Sequence, residues 1–361
     1  MRNLIFGILI LFLYTDGRGQ THDFDSLMSA LRSRIEIKSD TSSFMRYESG
    51  GFRIKFASRS LGLNEKDVFL KHKEGKNIYP LSYSVIYEGR LVTLFSTGRF
   101  ACYMLPELTP DRKFEKALNT MKFDSHLLLN GQLHAVSGGM LFVYNGKQWL
   151  LSPMKYQWEG KTKLYDNETY LVYADCKGEW GGTVYFLDKN SGICHFANAC
   201  CANTVYEEEG AYMILSSLAH DALRSELQRI EDPALLPVVT DYPSMDQDIM
   251  ALGIYDTGSS DRRIFNYSWI EVISALPYEG KRLQMITWKG RSFLAEISGN
   301  EIIVRDPLFN DEMLTSRTVT TAYGDGLVCV NLAVYAQGLH REESLLLIRK
   351  GEVIRINWKQ K

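Results

Sequence analysis

A short pattern recurs along most of this chain: a tyrosine or asparagine, a turn built from Gly, Asn, Asp or Glu, then an alternating apolar strand. It stands at Tyr47 (YESGGFRIKF), Tyr87 (YEGRLVTLF), Asn130 (NGQLHAVS) and Tyr165 (YDNETYLVYA). It returns at Tyr206 (YEEEGAYMIL), Tyr278 (YEGKRLQMITW) and Tyr323 (YGDGLVCVNLAV). Successive starts lie 40, 43, 35, 41, 72 and 45 residues apart. Further strands follow within the units. Met140 to Tyr144 reaches Gln148 to Leu151 through Asn145-Gly146, and Thr183 to Leu187 turns at Asp188 to Gly192 into Ile193 to Ala197. Asn-Gly supplies the positive φ angles that a tight hairpin needs. A serial array of small antiparallel sheets must hide its edges, and closing the array into a ring does so.

Alternation and spacing resemble β-propeller repeat proteins over roughly residues 45–361, in architecture and not in any signature. There is no Trp-Asp repeat, no kelch pattern and no Asp-box, since the turn from Asp188 to His195 lacks the ordered Ser and Trp. The resemblance implies an all-β fold, a six- or seven-bladed propeller with a short N-terminal helix and small helical insertions. The 72-residue interval reads as one blade plus an insertion, with a degenerate extra blade as the rival reading. Propellers serve as scaffolds for binding and for catalysis, so the fold alone does not select a function.

Residues 1–19 have the layout of a secretory signal peptide, with Arg2 before an apolar run from Leu4 to Leu13 and small residues at Gly17 and Gly19. That run is too short to span a bilayer, and no later segment approaches the required length. Export is therefore expected, to the periplasm or outside the cell in a bacterium. Residues 20–44 form a helical piece, with Phe24, Leu27, Met28, Leu31 and Ile35 at helical spacing, and residues 45–361 form one propeller domain. Thr109 before Pro110 predicts a second helix start, and Ser244 with Gln247 a third. Six Cys are too few for a disulfide scaffold, but four crowd between Cys176 and Cys201. One bridge between Cys176 or Cys194 and Cys200 or Cys201 is plausible there, with buried free thiols as the alternative.

A net charge of −2 provides no overall footprint for nucleic acid. No HExxH helix, GxSxG elbow, P-loop, GxGxxG turn or paired CxxC is present, and the seven His are scattered. No metal or cofactor is expected. The strongest lead is a set of glycine-containing turns placed at one end of the ring and read as first-to-second-strand turns. They bring Arg99, Lys177, Trp180, Arg224, Arg291 and Arg341 toward one channel mouth as ligand-binding candidates. Clustered cations there would attract carboxylate, sulfate or phosphate. Glu179, His220 and Asp221 are the weak candidates for proton transfer. The expected function is a binding module for a glycan, peptide or protein ligand, with an anionic group favoured. The alternative is a carbohydrate-active hydrolase or lyase.

Overall fold

The computed structural model describes residues 51–70, 78–154, 159–178, 181–218, 223–239, 261–288, 290–313, 315–336 and 339–358. Six of the seven repeats mark one event, the turn between the first and second strands of a sheet. Five of these turns put a residue and its following glycine both at positive φ: Glu88-Gly89, Asn130-Gly131, Glu209-Gly210, Glu279-Gly280 and Asp325-Gly326. That is the turn geometry whose twist matches the flanking strands, and it explains why the repeat carries glycine there.

The strands form six antiparallel meanders, so the ring has six blades. Blade 1 holds β3 (Val85–Tyr87), β4 (Arg90–Leu94), β5 (Phe100–Met104) and β6 (Thr109–Pro110). Blade 2 holds β7 (Ser125–Leu129), β8 (Gln132–Ser137), β9 (Met140–Tyr144) and β10 (Trp149–Leu151). Blade 3 follows with β11 (Thr162–Asp166), β12 (Tyr170–Ala174), β13 (Thr183–Asp188) and β14 (Cys194–Asn198). Blade 4 is β15 (Ala202–Glu208), β16 (Ala211–Leu218), β17 (Arg224–Ile230) and β18 (Asp261–Ser268). Blade 5 is β19 (Glu271–Tyr278), β20 (Lys281–Trp288), β21 (Arg291–Ser298) and β22 (Glu301–Pro307). Blade 6 is β23 (Arg317–Ala322), β24 (Val328–Ala336), β25 (Leu339–Arg349) and β26 (Glu352–Asn357).

The long interval is one blade with an insertion between its third and fourth strands, as the spacing suggested. The expected third helix and the N-terminal helix lie outside the described residues. The second helix exists as α1 (Arg112–Leu118), but its cap is Asp111, whose carboxylate accepts the Phe114 N–H at 3.0 Å. Thr109 and Pro110 pair with β5 instead, because a proline without an N–H is tolerated at a sheet edge. Repeat Tyr47 precedes β1 (Arg53–Phe56), which starts no blade and runs parallel to β22 as a fifth, outermost strand of blade 5. Next, β2 (Asn64–Phe69) does the same along β26 of blade 6.

Six apolar clusters fill the six contacts between neighbouring blades, and one of them closes the ring. There Ile86, Leu91 and Phe95 of blade 1 pack with Leu345, Ile356 and Trp358 from the end of the chain. A strap containing β1 and β2 laces blades 5 and 6 from outside. Asp306 accepts the Leu61 N–H at 2.6 Å and the Ser60 hydroxyl. Arg355 grips Asp67 with two hydrogen bonds of 2.6 and 2.9 Å, and reaches Asp311 at 2.9 Å.

Candidate functional site

The axis of the ring is filled on one side and hollow on the other. Inner strands β15, β19 and β23 meet through hydroxyls, with Thr320 Oγ1 at 3.1 Å from Thr204 and 2.7 Å from Ser274. Opposite them lies a cavity of about 270 Å³ among blades 1, 2, 3 and 6. Its wall is built from the inner strands β7, β11 and β23, from residues 81–85, which lead into β3, and from Asn331, Ala333 and Glu342 of β24 and β25.

Ser82 and His126 join the first two blades within this wall. The Nε2 of His126 donates to the Val92 carbonyl at 3.1 Å, which leaves Nδ1 to accept the Ser82 hydroxyl at 2.6 Å. The His126 backbone N–H returns a hydrogen bond to the same hydroxyl at 3.1 Å. Burial pushes this imidazole down to about 4, with the Val92 carbonyl opposing, so the ring is neutral. Among the described residues no carboxylate orients it. The pair is a tether.

A second polar network fastens the seam between blades 6 and 1. Glu342, at 3% exposure, accepts the Ser84 N–H at 2.9 Å and the Ser84 hydroxyl at 2.7 Å. The Trp358 indole N–H donates to it at 2.6 Å. Burial raises this carboxyl to about 7 even though all three donors favour its ionised form. Nearby, the Ile86 N–H donates to the Tyr323 hydroxyl at 3.0 Å, again across the seam.

Positive charge enters from the starts of two inner strands. Arg317 opens β23, and its guanidinium reaches blade 3, donating to the Ala174 carbonyl at 3.4 Å. Ala174 is the register partner of Thr162, and Arg317 and the neighbouring Lys161 line the same hollow. The Lys161 ammonium lies 5.4 Å from the centre of the Tyr185 ring. Among the described residues, neither cation has a carboxylate within ion-pair distance. Lys163 differs: burial pushes its amine down, and Asp166 stands 3.9 Å away.

The cations expected from the glycine turns do not form this wall. Those turns join second to third strands, not first to second. They do lie at the end where the inner strands begin, but about 7 Å further from the axis, one and a half strand spacings out. Arg99 is exposed there, and Lys177 is half-buried. Arg224 donates to Asn266 at 3.2 Å within its own blade, and Arg291 to the Asn310 carbonyl in the segment between blades 5 and 6. Arg341 sits in β25 opposite Val334, with its side chain outside the described set. Glu179, Trp180, His220 and Asp221 lie outside the described residues. The cysteine cluster does form one bridge, Cys176–Cys201, which ties the 175–182 turn to the segment entering blade 4.

Arg317 and Lys161 carried no local signal. They occupy ordinary strand starts in blades far apart in sequence, and only ring closure brings them together. No known family pattern matches the chain, and no curated protein matches its sequence. Among solved structures it is similar to BamB from Moraxella catarrhalis, at 9% identity over 78% of this chain and 77% of that one, with a TM-score of 0.33. Hsv2 from Kluyveromyces lactis gives 9% identity, 76% and 75% coverage and a TM-score of 0.36. The computationally designed Ika8 protein gives 10% identity, 79% and 88% coverage and a TM-score of 0.37. The blade count and topology above therefore rest on this chain's own sheets.

Proposed function

We propose that this protein is an exported interaction module that receives a small anionic ligand in the cavity among blades 1, 2, 3 and 6. The observation that carries the reading is the convergence of Arg317 and Lys161, from different blades, at a hollow where neither meets a carboxylate among the described residues. A guanidinium offers paired donors to a carboxylate, sulfate or phosphate, and the cavity walls keep the local dielectric low. The leader-like residues 1–19 and the Cys176–Cys201 bridge support passage through an oxidising compartment.

The test is a thermal-shift screen of the purified protein against small carboxylates, sulfate and phosphate, beside their neutral analogues. A ligand that binds only the folded state raises the melting temperature. The expected result is stabilisation by at least one anion class, lost in Arg317→Gln and in Lys161→Gln while the unliganded melting temperature holds. Equal stabilisation of wild type and Arg317→Gln by every anion sinks the reading.

A further inference from the structure

Several polar side chains of the cavity wall are already engaged with one another or with backbone. The Ser82 hydroxyl is given to His126 at 2.6 Å, and the Ser84 hydroxyl to Glu342 at 2.7 Å. Asn331 turns its amide to the Val319 carbonyl at 3.5 Å, and the Tyr323 hydroxyl serves the Ile86 N–H. The Tyr83 hydroxyl is the exception, buried with no hydrogen-bond partner among the described residues although the residue is partly exposed. The remaining surface is aliphatic, from Leu81, Leu127, Leu128 and Val319. Ser125 and Thr162 stand at the rim, each the first residue of its inner strand.

From this accounting, and resting on the anion reading above, we infer that the ligand is an apolar carboxylate: an anionic head held by Arg317 and Lys161, on an aliphatic or aromatic body lying against the wall. A sugar acid fits poorly, because its several ring hydroxyls would leave water for a wall whose one buried unengaged hydroxyl, among the described residues, is that of Tyr83. An amino acid fits poorly too. Its ammonium would face Arg317, Lys161 and Lys163, while the one carboxyl in the wall, Glu342, is saturated by three donors. At about 270 Å³ the hollow lies just below the range of about 300–1,000 Å³ that holds drug-sized ligands, which suits a single ring or a short chain.

Three probes built on a six-membered ring separate the terms: cyclohexanecarboxylate, cyclohexanol and glucuronate, titrated calorimetrically into the purified full chain. Cyclohexanecarboxylate is expected to bind about tenfold tighter than either of the others, the factor a single charge-assisted hydrogen bond supplies. Arg317→Gln should bring the acid to the level of cyclohexanol. Lys161→Gln, at the outer edge of the wall, gives a second variant should the first fold poorly, and it should weaken the acid without changing cyclohexanol. Glucuronate binding as tightly as cyclohexanecarboxylate overturns the apolar-body inference and leaves the anion reading standing. Cyclohexanol binding as tightly as the acid removes both. Absence of binding by all three overturns the inference, and the sulfate and phosphate arms of the earlier screen then decide the anion reading by themselves.

Discussion

Replacing Glu342 by Gln tests whether the seam between the last and first blades is fastened by a carboxyl held protonated in the fold. An ordinary Glu titrates at 4.5, and burial raises Glu342 to about 7. Between those values the unfolded chain releases its proton while the folded chain keeps it, so stability falls as pH rises from about 4.5 to about 7 and is flat above. At about 1.4 kcal/mol per pH unit the loss is about 3 kcal/mol, an order-of-magnitude figure for a group this deeply buried. Gln cannot titrate, so its variant lacks this slope. It also carries a fixed penalty of about 1–2 kcal/mol, because its amide group opposes the Ser84 N–H that the second carboxyl oxygen now accepts.

Urea unfolding of both proteins at half-unit steps from pH 4.5 to 8 measures the difference between them. That difference cancels other titrating groups with shifted values, including Glu271, raised to about 8 by burial and by Glu312, and His126, lowered to about 4. His126 works in the opposite sense, since its neutral form is the folded one and its contribution is lost as pH falls through 4. The advantage of wild type over Glu342→Gln, about 1–2 kcal/mol at pH 4.5, should fall by about 3 kcal/mol across the window and so reverse its sign. An advantage that stays constant across the window refutes the protonated seam.

Two further perturbations probe the fasteners of the ring. Arg355→Ala releases β2 from Asp67 and frees Asp311, and should lower stability by about 1–2 kcal/mol while exposing residues 53–69 to limited proteolysis. Unchanged cleavage there would mean the strap is held by its backbone pairing alone. The Cys176–Cys201 bridge closes a loop with a sequence separation of 25, so the Cys176→Ser, Cys201→Ser double variant should lose about 3 kcal/mol in a non-reducing urea titration. If reductant lowers the wild-type midpoint and that of the double variant equally, the bridge contributes nothing.

The repeat was legible because its turns impose a backbone requirement that only a few residue types meet. Glu88-Gly89 and Glu279-Gly280 need positive φ twice in succession, and that demand shows in the sequence without any knowledge of neighbours. What such a turn does not encode is which strand lies beside which. The pattern after Tyr47 matches the others locally, yet β1 pairs with the far edge of blade 5 through Arg53 and Glu301, almost 250 residues away. The Tyr47 repeat therefore marks a strap and not a blade, which leaves six blades of the six or seven expected. The same limit displaced the cationic turns by one strand, because the first strand of each blade precedes the marker residue and does not follow it.

The cavity was illegible for a related reason, and its origin explains why it sits at the seam. Inner strands β19 of blade 5 and β15 of blade 4 run eight and seven residues, and with β23 they bring Thr204, Ser274 and Thr320 into contact across the axis. Blade 1 contributes an inner strand of only three residues, Val85–Tyr87. Above it the chain is irregular from Leu81 to Ser84, and its hydroxyls turn sideways to His126 and Glu342 rather than toward the axis. A short inner strand thus leaves the hollow, and the tethers that compensate for the missing strand engage the Ser82, Ser84 and Glu342 groups of its wall. The closure of the ring and the apolar character of the cavity have one cause. On that account, lengthening β3 toward residue 81 and filling the hollow are the same structural change.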